Sequence, residues 1–449
     1  MGVALAAGVA GVERVDGESG GGRVPVKVVV VDVERPPEEI LAAHPGGGRY
    51  VGLWVLARVG GEPRSVIKLP FVGDRITAAE LAESFRGPAF EPRAPVPVVA
   101  ADPPVLVSVV LCTTFEREQE LRNCLASLAA LDYPSYEVLL VDNRREDGES
   151  VAWVEDYPRV RLLRERQPGL GAARNRGLSA AAGEIVAFTD DDVVVDPGWL
   201  TAYARRFAAD PDEVALGGFI IPRELETAAQ LTVEEYFGGW GPRVPERAHY
   251  DLDRPTGLRF LRQAKVTERN DAGEILDVFS LYSAGRMAIG ANMAFRTEAL
   301  RAVGGFDVSL GAGTPAKTAE DTLVWMRLAW RGYRVGFEPA ALLSHVHRRE
   351  DAQLRRQIEN YGTGFGAEML ALVLEDPRHL GAIAATGPRA VSVMTRKFWQ
   401  RVRTKTPEDA GAAAKTGVSD LARLELRGMI RGPLAYARSV RSTRRYSRA

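Results

Sequence analysis

The chain is poor in several features that would settle its class at once. It has two cysteines, Cys112 and Cys124, among 449 residues. That excludes a disulfide scaffold and a Cys-rich zinc module, and points to a reducing compartment, the cytoplasm. No run approaches the roughly 18 apolar residues of a membrane-spanning helix. The apolar start Met1–Ala10 lacks the basic stretch of a signal peptide, and Ala6 stands where a myristoylation signal needs Ser or Thr. Neither sign of charge is in excess: 58 basic residues face 59 acidic ones, so the chain as a whole has no nucleic-acid-binding signature. Lysine is scarce, at seven, against abundant Arg, Ala, Gly and Val, as in proteins of GC-rich bacterial genomes. What is present is ordinary: 46% hydrophobic and 26% charged residues argue for a globular chain rather than a disordered or collagenous one. The length suggests two or three domains.

Organisation follows from where the pattern changes. Residues 1–23 are Gly-rich without periodicity and are expected to be disordered. Val26–Val31 reads as a strand, Tyr50–Val59 and Ser65–Pro70 as a hairpin around Gly60-Gly61-Glu62-Pro63, and Thr77–Phe85 as a helix capped by Thr77. Residues 24–87 thus make a small α+β module without identifiable chemistry. Six prolines between Pro88 and Pro104 mark an extended linker. From residue 105 strands alternate with helices: Val105–Cys112, Glu118–Leu131, Glu137–Val141, Val160–Leu163, Gly171–Ala182, Ile185–Thr189. Alternation of this kind implies an α/β fold with a mostly parallel sheet, whose ligands lie at the carboxyl ends of the strands. That rule singles out Thr113, Asp142 and Asp190. Arg223–Arg286 reads as irregular, Asp321–Trp330 as a helix, Arg334–Phe337 as a strand, and residues 348–449 as a mainly helical extension.

Ile185–Thr189 runs into Asp190-Asp191-Asp192. A strand that delivers three carboxylates to its end has gathered repelling charges, and a divalent cation is the simplest compensation. Mn²⁺ or Mg²⁺ takes hard oxygen ligands and is often completed by substrate phosphates. Alternate residues of an extended segment point the same way, so Asp190 and Asp192 can serve one site. The plainer reading is a solvated Asp-rich turn.

The surroundings favour the metal. Gln167–Leu178 (QPGLGAARNRGL), Val186–Asp192, Val107–Arg117 (VSVVLCTTFER), Glu137–Asn143 (EVLLVDN), Ala291–Arg296 (ANMAFR), Gly304-Gly305-Phe306-Asp307 and Ala319-Glu320-Asp321 together resemble the motifs, in order, of the inverting family-2 glycosyltransferases. The resemblance covers residues 105–347. It implies the GT-A nucleotide-diphospho-sugar transferase fold, a mixed and mostly parallel sheet flanked by helices. It also implies a nucleotide-sugar donor, UDP- or dTDP-linked, and a DXD-type motif that binds metal. By that resemblance Asp142 bonds the nucleobase and Thr113 lines the nucleotide pocket, with Thr114, Glu116, Arg117, Asn143, Gly171, Arg174, Asn175, Asp191 and Asn292 as further donor contacts. Asp190 lies near the ribose or metal, and Asp192 ligates the metal on the diphosphate. The sequence departs from the family pattern at Glu116, where Asn is usual, and at Arg144-Arg145-Glu146, which replaces a small Ser-containing turn.

An inverting transfer needs one carboxylate as base near the acceptor hydroxyl. Glu320-Asp321 precedes an apolar helical run, and a helix N-terminus favours the ionised form that a resting base requires. Ordinary capping is the plainer reading. The family's usage makes Asp321 the base, with Glu320 helping to bind the acceptor. The same usage takes a third metal ligand from about two dozen residues further on: His345, with His347 as the alternative.

Residues 388–449 carry 15 basic and 4 acidic side chains. Such a segment is either a solvated basic tail or a peripheral contact with the anionic inner face of the cell membrane. The acceptor is expected to be a glycan or lipid-linked sugar, in synthesis of a bacterial surface polysaccharide or glycolipid, with no nucleic acid involved. A processive synthase is disfavoured by the lack of membrane helices and of a Q-x-x-R-W motif. Two other classes compete. Asp190–Val193 loosely matches the D-x-D-x-[TV] motif of haloacid-dehalogenase-type phosphatases, and a non-catalytic nucleotide-sugar-binding protein could share the fold.

Overall fold

The computed structural model describes residues 24–87, 90–91, 104–146, 151–236, 245–253, 264–287, 289–385 and 418–446. The expected disordered stretch 1–23 and nearly all of the Pro-rich linker 88–104 lie outside the described residues.

The first segment forms β1 (Val26–Asp32), β2 (Glu39–Leu41), β3 (Gly52–Val59), β4 (Glu62–Pro70), β5 (Arg75–Thr77) and α1 (Ala78–Ser84). β3 and β4 are a hairpin turned by Gly60 and Gly61 at φ +59° and +80°, which glycine adopts without strain. β1 lies parallel to β3. Thr77 and Glu80 cap α1 reciprocally, each side chain meeting the other's backbone N–H. Leu53, Val55, Phe71 and Leu81 form a separate small core, while Trp54 and Leu56 on the opposite face join the main one. Polar ties complete the docking. Arg58 meets Asp196 at 2.9 Å, and Arg247 bridges Glu62 and Glu338 at 2.6 and 2.7 Å.

The rest of the chain contributes β6 (Val107–Thr113), α2 (Glu118–Ala129), β7 (Tyr136–Asp142), β8 (Val160–Arg164), α3 (Leu170–Ala180), β9 (Ile185–Asp190), β10 (Val193–Val195) and α4 (Trp199–Ala209). These are followed by β11 (Glu213–Pro222), α5 (Ala228–Tyr236), β12 (Ala248–Asp253), β13 (Lys265–Asn270), β14 (Ile275–Ser280), β15 (Asn292–Arg296) and α6 (Thr297–Ala302). Then come α7 (Glu320–Arg331), β16 (Arg334–His345), α8 (Asp351–Glu375) and α9 (Val418–Thr443). One sheet has the order β14-β13-β12-β16-β11-β15-β9-β6-β7-β8, with β10 against β16. β8, β7, β6 and β9 are parallel, β15 is antiparallel to both β9 and β11, and β11 is parallel to β16. This is the mixed, mostly parallel, helix-flanked sheet that the sequence predicts for a GT-A fold.

The continuous apolar run of β6 is explained by burial on both faces. Val107, Val109 and Leu111 belong to the core on the α2 side of the sheet, while Val110 belongs to the core on the α3 side. Two expectations are corrected. Arg223–Arg286 is not irregular throughout: β12, β13 and β14 extend the sheet as an antiparallel meander. β13 has a single apolar residue, Val266, and β14 leaves Ile275, Leu276 and Val278 exposed, so the alternation is faint. The strand from Arg334 does not stop at Phe337 but reaches His345. Pro339 reads as a breaker; the chain absorbs it in a bulge, where the register with β11 jumps from Gly218–Glu338 to Phe219–Leu342.

Candidate active site

The carboxyl ends of β6 and β9 lie side by side, with Cys112 paired to Asp190, so Thr113 and the acidic triplet emerge together. The Thr113 hydroxyl donates to Asp191 Oδ2 at 2.7 Å and accepts the Phe115 N–H at 2.9 Å. The Arg117 guanidinium donates to both Asp191 and Asp192. β10 then pairs antiparallel with the end of β16, Val193 opposite His345. That pairing sets His345 Nε2 3.3 Å from Asp192 Oδ1. His345 Nδ1 lies 3.3 Å from His347 Nδ1, and His347 Nε2 lies 2.8 Å from Glu234 Oε1.

Burial acts differently on these groups. It pushes the Asp191 carboxyl up to about 6, against the pull of Arg117. It pushes the His345 imidazole down to about 4, against the pull of Asp192, so the ring is neutral near pH 7. Burial also opposes the charge on Asp192, but His345 and Arg117 outweigh it and hold that carboxyl below its ordinary range.

Asp192 Oδ1 is buried and has no hydrogen-bond partner. An orphaned carboxylate oxygen beside a neutral imidazole is a donor set that suits Mn²⁺ or Mg²⁺. Asp190 Oδ1 is held by Arg174 Nη2 at 3.2 Å. Among the described residues no three His, Cys, Asp or Glu side chains are arranged as a metal site. Asp190 thus has one oxygen engaged by a buried cation, while Asp192 and His345 face each other directly.

The other wall is the N-terminus of α7. Arg174, 2% exposed, donates to Glu320 Oε1 at 2.7 Å and to the Gly290 carbonyl at 3.1 Å, in addition to Asp190. It ties the acidic strand to the helix start. Asp321 Oδ2 accepts the Gly290 N–H at 2.7 Å, and its Oδ1 accepts the Thr322 N–H at 2.8 Å. Burial raises Glu320 to about 7, with Arg174 opposing. Behind it the Thr322 hydroxyl donates to Glu368 of α8, which burial raises to about 8. Three non-glycine residues around the site have left-handed backbones: Phe115 at φ +58°, Lys317 at +76° and Ala319 at +83°. Strain of this kind persists where the surrounding structure enforces it, and it concentrates at functional sites.

Several expected donor contacts do something else. Asn292 is fully buried; its amide donates to Phe219 and Ala341 carbonyls and its oxygen accepts from Trp199 and Tyr203. All its capacity is spent inside the core, so it has nothing to offer a nucleotide. Asn143 is spent on the backbone of residues 165, 167 and 169, and Asn175 on both backbone groups of Phe306. Arg174 is buried beneath the acids, with Glu320, Asp190 and the Gly290 carbonyl as its partners. Gly171 is where α3 meets the Asp307 backbone, 2.7 Å from where a Cβ would lie. Asp142 is gripped by Arg144 at 2.7 Å and by Arg164 at 2.7 Å. Burial works against its charge, but the hydrogen bonds from Arg144 and the charge of both arginines hold its carboxyl below the ordinary range. Thr114 and Glu116 are exposed on the loop after β6.

Sequence reasoning missed Arg164, Glu234, the Gly290 backbone, Thr322 and Glu368. Only Arg164 carried a signal, as a cation at the end of a strand parallel to that of Asp142. The others are brought in by elements far away in sequence.

Comparison with known proteins fits this arrangement. The model of glycosyl transferase family 2 matches residues 108–304, and that of glycosyl transferase family group 2 matches residues 253–403. The chain is 25% identical over 247 residues to a glucosyl-dolichyl phosphate glucuronosyltransferase of Haloferax volcanii, covering 53% of this chain and 68% of that protein. It is 30% identical over 220 residues to a pre-mycofactocin glycosyltransferase of Mycobacterium tuberculosis, covering 49% of this chain but only 38% of that one. A solved mannosyltransferase from Pyrobaculum calidifontis, in complex with GDP-Man and Mn²⁺, aligns over 76% of this chain and 86% of its own. Its sequence identity is 19% and its TM-score 0.41. The family match leaves no place for the haloacid-dehalogenase reading. With its acidic triplet at the end of the fourth strand of the mixed sheet and its acid pair at the start of α7, the chain belongs to glycosyl transferase family 2.

Proposed function

We propose that the protein transfers a sugar, with inversion, from a UDP- or dTDP-sugar to a glycan or lipid-linked acceptor, in building a bacterial surface polysaccharide or glycolipid. The observation that carries this reading is the pairing of two walls across one rim. Asp192 with His345 offers an orphaned oxygen and a neutral ring, and Asp321 is a carboxylate held at a helix N-terminus. Asp192 and His345 would hold Mn²⁺ or Mg²⁺. The metal, when bound, would neutralise the diphosphate as it leaves. Thr113, Arg117 and Asp191 shape the floor next to it.

Asp321 acts as the base. The acceptor oxygen attacks the anomeric carbon, the bond from that carbon to the phosphate oxygen breaks with its electron pair going to the nucleoside diphosphate, and the acceptor proton passes to Asp321. Gly290 N–H and Thr322 N–H fix the Asp321 carboxylate for this. The Arg174–Glu320 pair supports it from below. Release of nucleoside diphosphate from a panel of nucleotide sugars, with and without Mn²⁺ or Mg²⁺, tests the reading. Metal-dependent release that needs an acceptor supports it. Tight binding of a nucleotide sugar without turnover on any acceptor would make the chain a binding protein instead.

A further inference from the structure

α9 has one face against the body of the protein and one that no described residue covers. On the inner side Gly428 and Gly432 let α9 approach α8 so closely that a Cβ on either would lie 2.3 or 2.5 Å from an α8 carbonyl oxygen. Tyr436 donates to Asp307 at 2.8 Å, in the loop beside the start of α3. The helix is thus held rigidly, and its rotation is fixed. On the outer side Leu426, Ile430 and Leu434 are 48%, 74% and 57% exposed. Spaced by four residues, they make one stripe along the helix. Seven arginines between Arg423 and Arg445 are exposed with them, and the only acid in that stretch, Glu425, is buried. Arg427 and Arg431 lean towards Glu359 of α8, at 3.9 and 3.0 Å.

We propose that this face of α9 docks the protein onto an anionic lipid bilayer. A stripe of leucine and isoleucine bordered by arginine is what an interfacial helix presents: apolar side chains enter the boundary region while guanidinium groups meet lipid phosphates. The charge decides against a second copy of the chain, since self-pairing would press like arginine rows together. The helix lies on the membrane rather than crossing it. No described helix is long and apolar enough to span a bilayer. The sequence alone left the whole basic segment from residue 388 open between a solvated tail and a membrane contact; the proposal confines the contact to one face of one helix. Because that helix also holds the Asp307 loop, docking would keep the candidate site close to the bilayer. The proposal does not depend on the transferase reading, since it is read without turnover.

The test is co-sedimentation of the full chain with vesicles of phosphatidylcholine alone and with about one third phosphatidylglycerol, at low salt. The expected result is binding to the anionic vesicles only, with release at high salt as the attraction is screened. Arg438→Glu/Arg441→Glu/Arg445→Glu should lower partitioning at least tenfold, since each arginine near the surface is worth roughly fivefold. Leu426→Ser/Ile430→Ser/Leu434→Ser should do the same through the apolar stripe. All six side chains are exposed, and unchanged circular dichroism would verify the fold. The salt release of the wild type gives a reading that needs no variant. Absence of binding to anionic vesicles, equal binding to both kinds, or unaltered partitioning of both variants would overturn the proposal. So would a dimer in sedimentation velocity that the serine variant abolishes.

Discussion

Asp142 and Asp192 begin from the same place in the architecture and end differently. Each is a carboxylate delivered by a parallel strand, or the turn just past one, to the carboxyl edge of the sheet, and each is met by arginine. Around Asp142 the guanidinium groups of Arg144 and Arg164 approach both oxygens, and the Arg144 N–H adds a further bond. Around Asp192 one oxygen takes Arg117, and the other is buried, faces His345 and receives no hydrogen bond. Buried polar atoms are rarely left this way. The closed carboxylate is a strut between strands and loop. On the proposed reading, the open one leaves an oxygen for the metal. Asp321 stands between the two: each of its oxygens accepts a backbone N–H rather than a guanidinium group.

The largest effect that would sharpen this contrast is on turnover. Asp321→Asn keeps the shape and both backbone contacts but cannot take the acceptor's proton. Losses of roughly 10²–10⁴ in kcat are expected for removal of a general base, with donor affinity close to wild type. Asn caps a helix about as well as Asp, so a side chain that merely caps α7 would leave kcat near normal. Steady-state kinetics, with calorimetric donor binding on the same preparations, separates the two.

Next comes the metal. Asp192→Ala should abolish the gain in UDP or dTDP affinity that Mn²⁺ brings, because it removes the oxygen that the fold leaves open. Calorimetry with and without Mn²⁺ reads this directly. A Mn²⁺-dependent gain retained in the variant would place the cation elsewhere and erase the difference between the two aspartates.

The parts of the fold that were legible in the sequence are those where local pattern and tertiary role agree. The apolar run of β6, the triplet after β9 and the acid pair before α7 all announce themselves by residue type. Asn292 shows the opposite. It lies in the Ala291–Arg296 motif, where the family resemblance makes it a donor contact, yet its neighbours are Trp199 of α4 and the β11–β16 pair, and only the packing reveals that it is a core hub. Its partner Gly218 explains why β11 itself was not anticipated. A Cβ there would lie 2.4 Å from both Ala341 O and Asn292 Nδ2, so the strand must carry glycine, which weakens its β signature. Glu368 left no trace at all, since nothing near it in sequence says that α8 returns to the active helix.

Glu368 gives a third, smaller effect, confined to stability. Its folded-state pKa is raised to about 8 from 4.5 by burial, so the native state keeps a proton that the unfolded chain releases. Its contribution is fully present below pH 4.5 and is lost as pH rises towards 8, with a slope of at most about 1.4 kcal/mol per pH unit. Glu368→Gln should flatten that decline. Thermal unfolding of both proteins across this range checks it; parallel curves would mean that Glu368 is ionised in the native state.

The smallest expected effect tests the closed carboxylate. In Asp142→Asn the two arginines lose a charged partner while one amide oxygen still accepts. Both guanidinium groups are partly solvated, at 22% and 26% side-chain exposure, so water screens much of the loss. A cost of about 1 kcal/mol at pH 7 is expected. The sign with pH follows from the lowered native pKa. The stabilisation is present above the ordinary aspartate value of 3.8 and is lost as pH falls through the native value below it. The gap in urea midpoint between wild type and variant should therefore narrow in acid. Donor affinity should fall less than tenfold at pH 7, and its Mn²⁺ dependence should survive, because a strut has been weakened and no ligand removed. A tenfold or greater loss of UDP or dTDP affinity at unchanged stability would show that Asp142 reads the nucleobase through its arginine clamp, and the two aspartates would then both belong to the donor site.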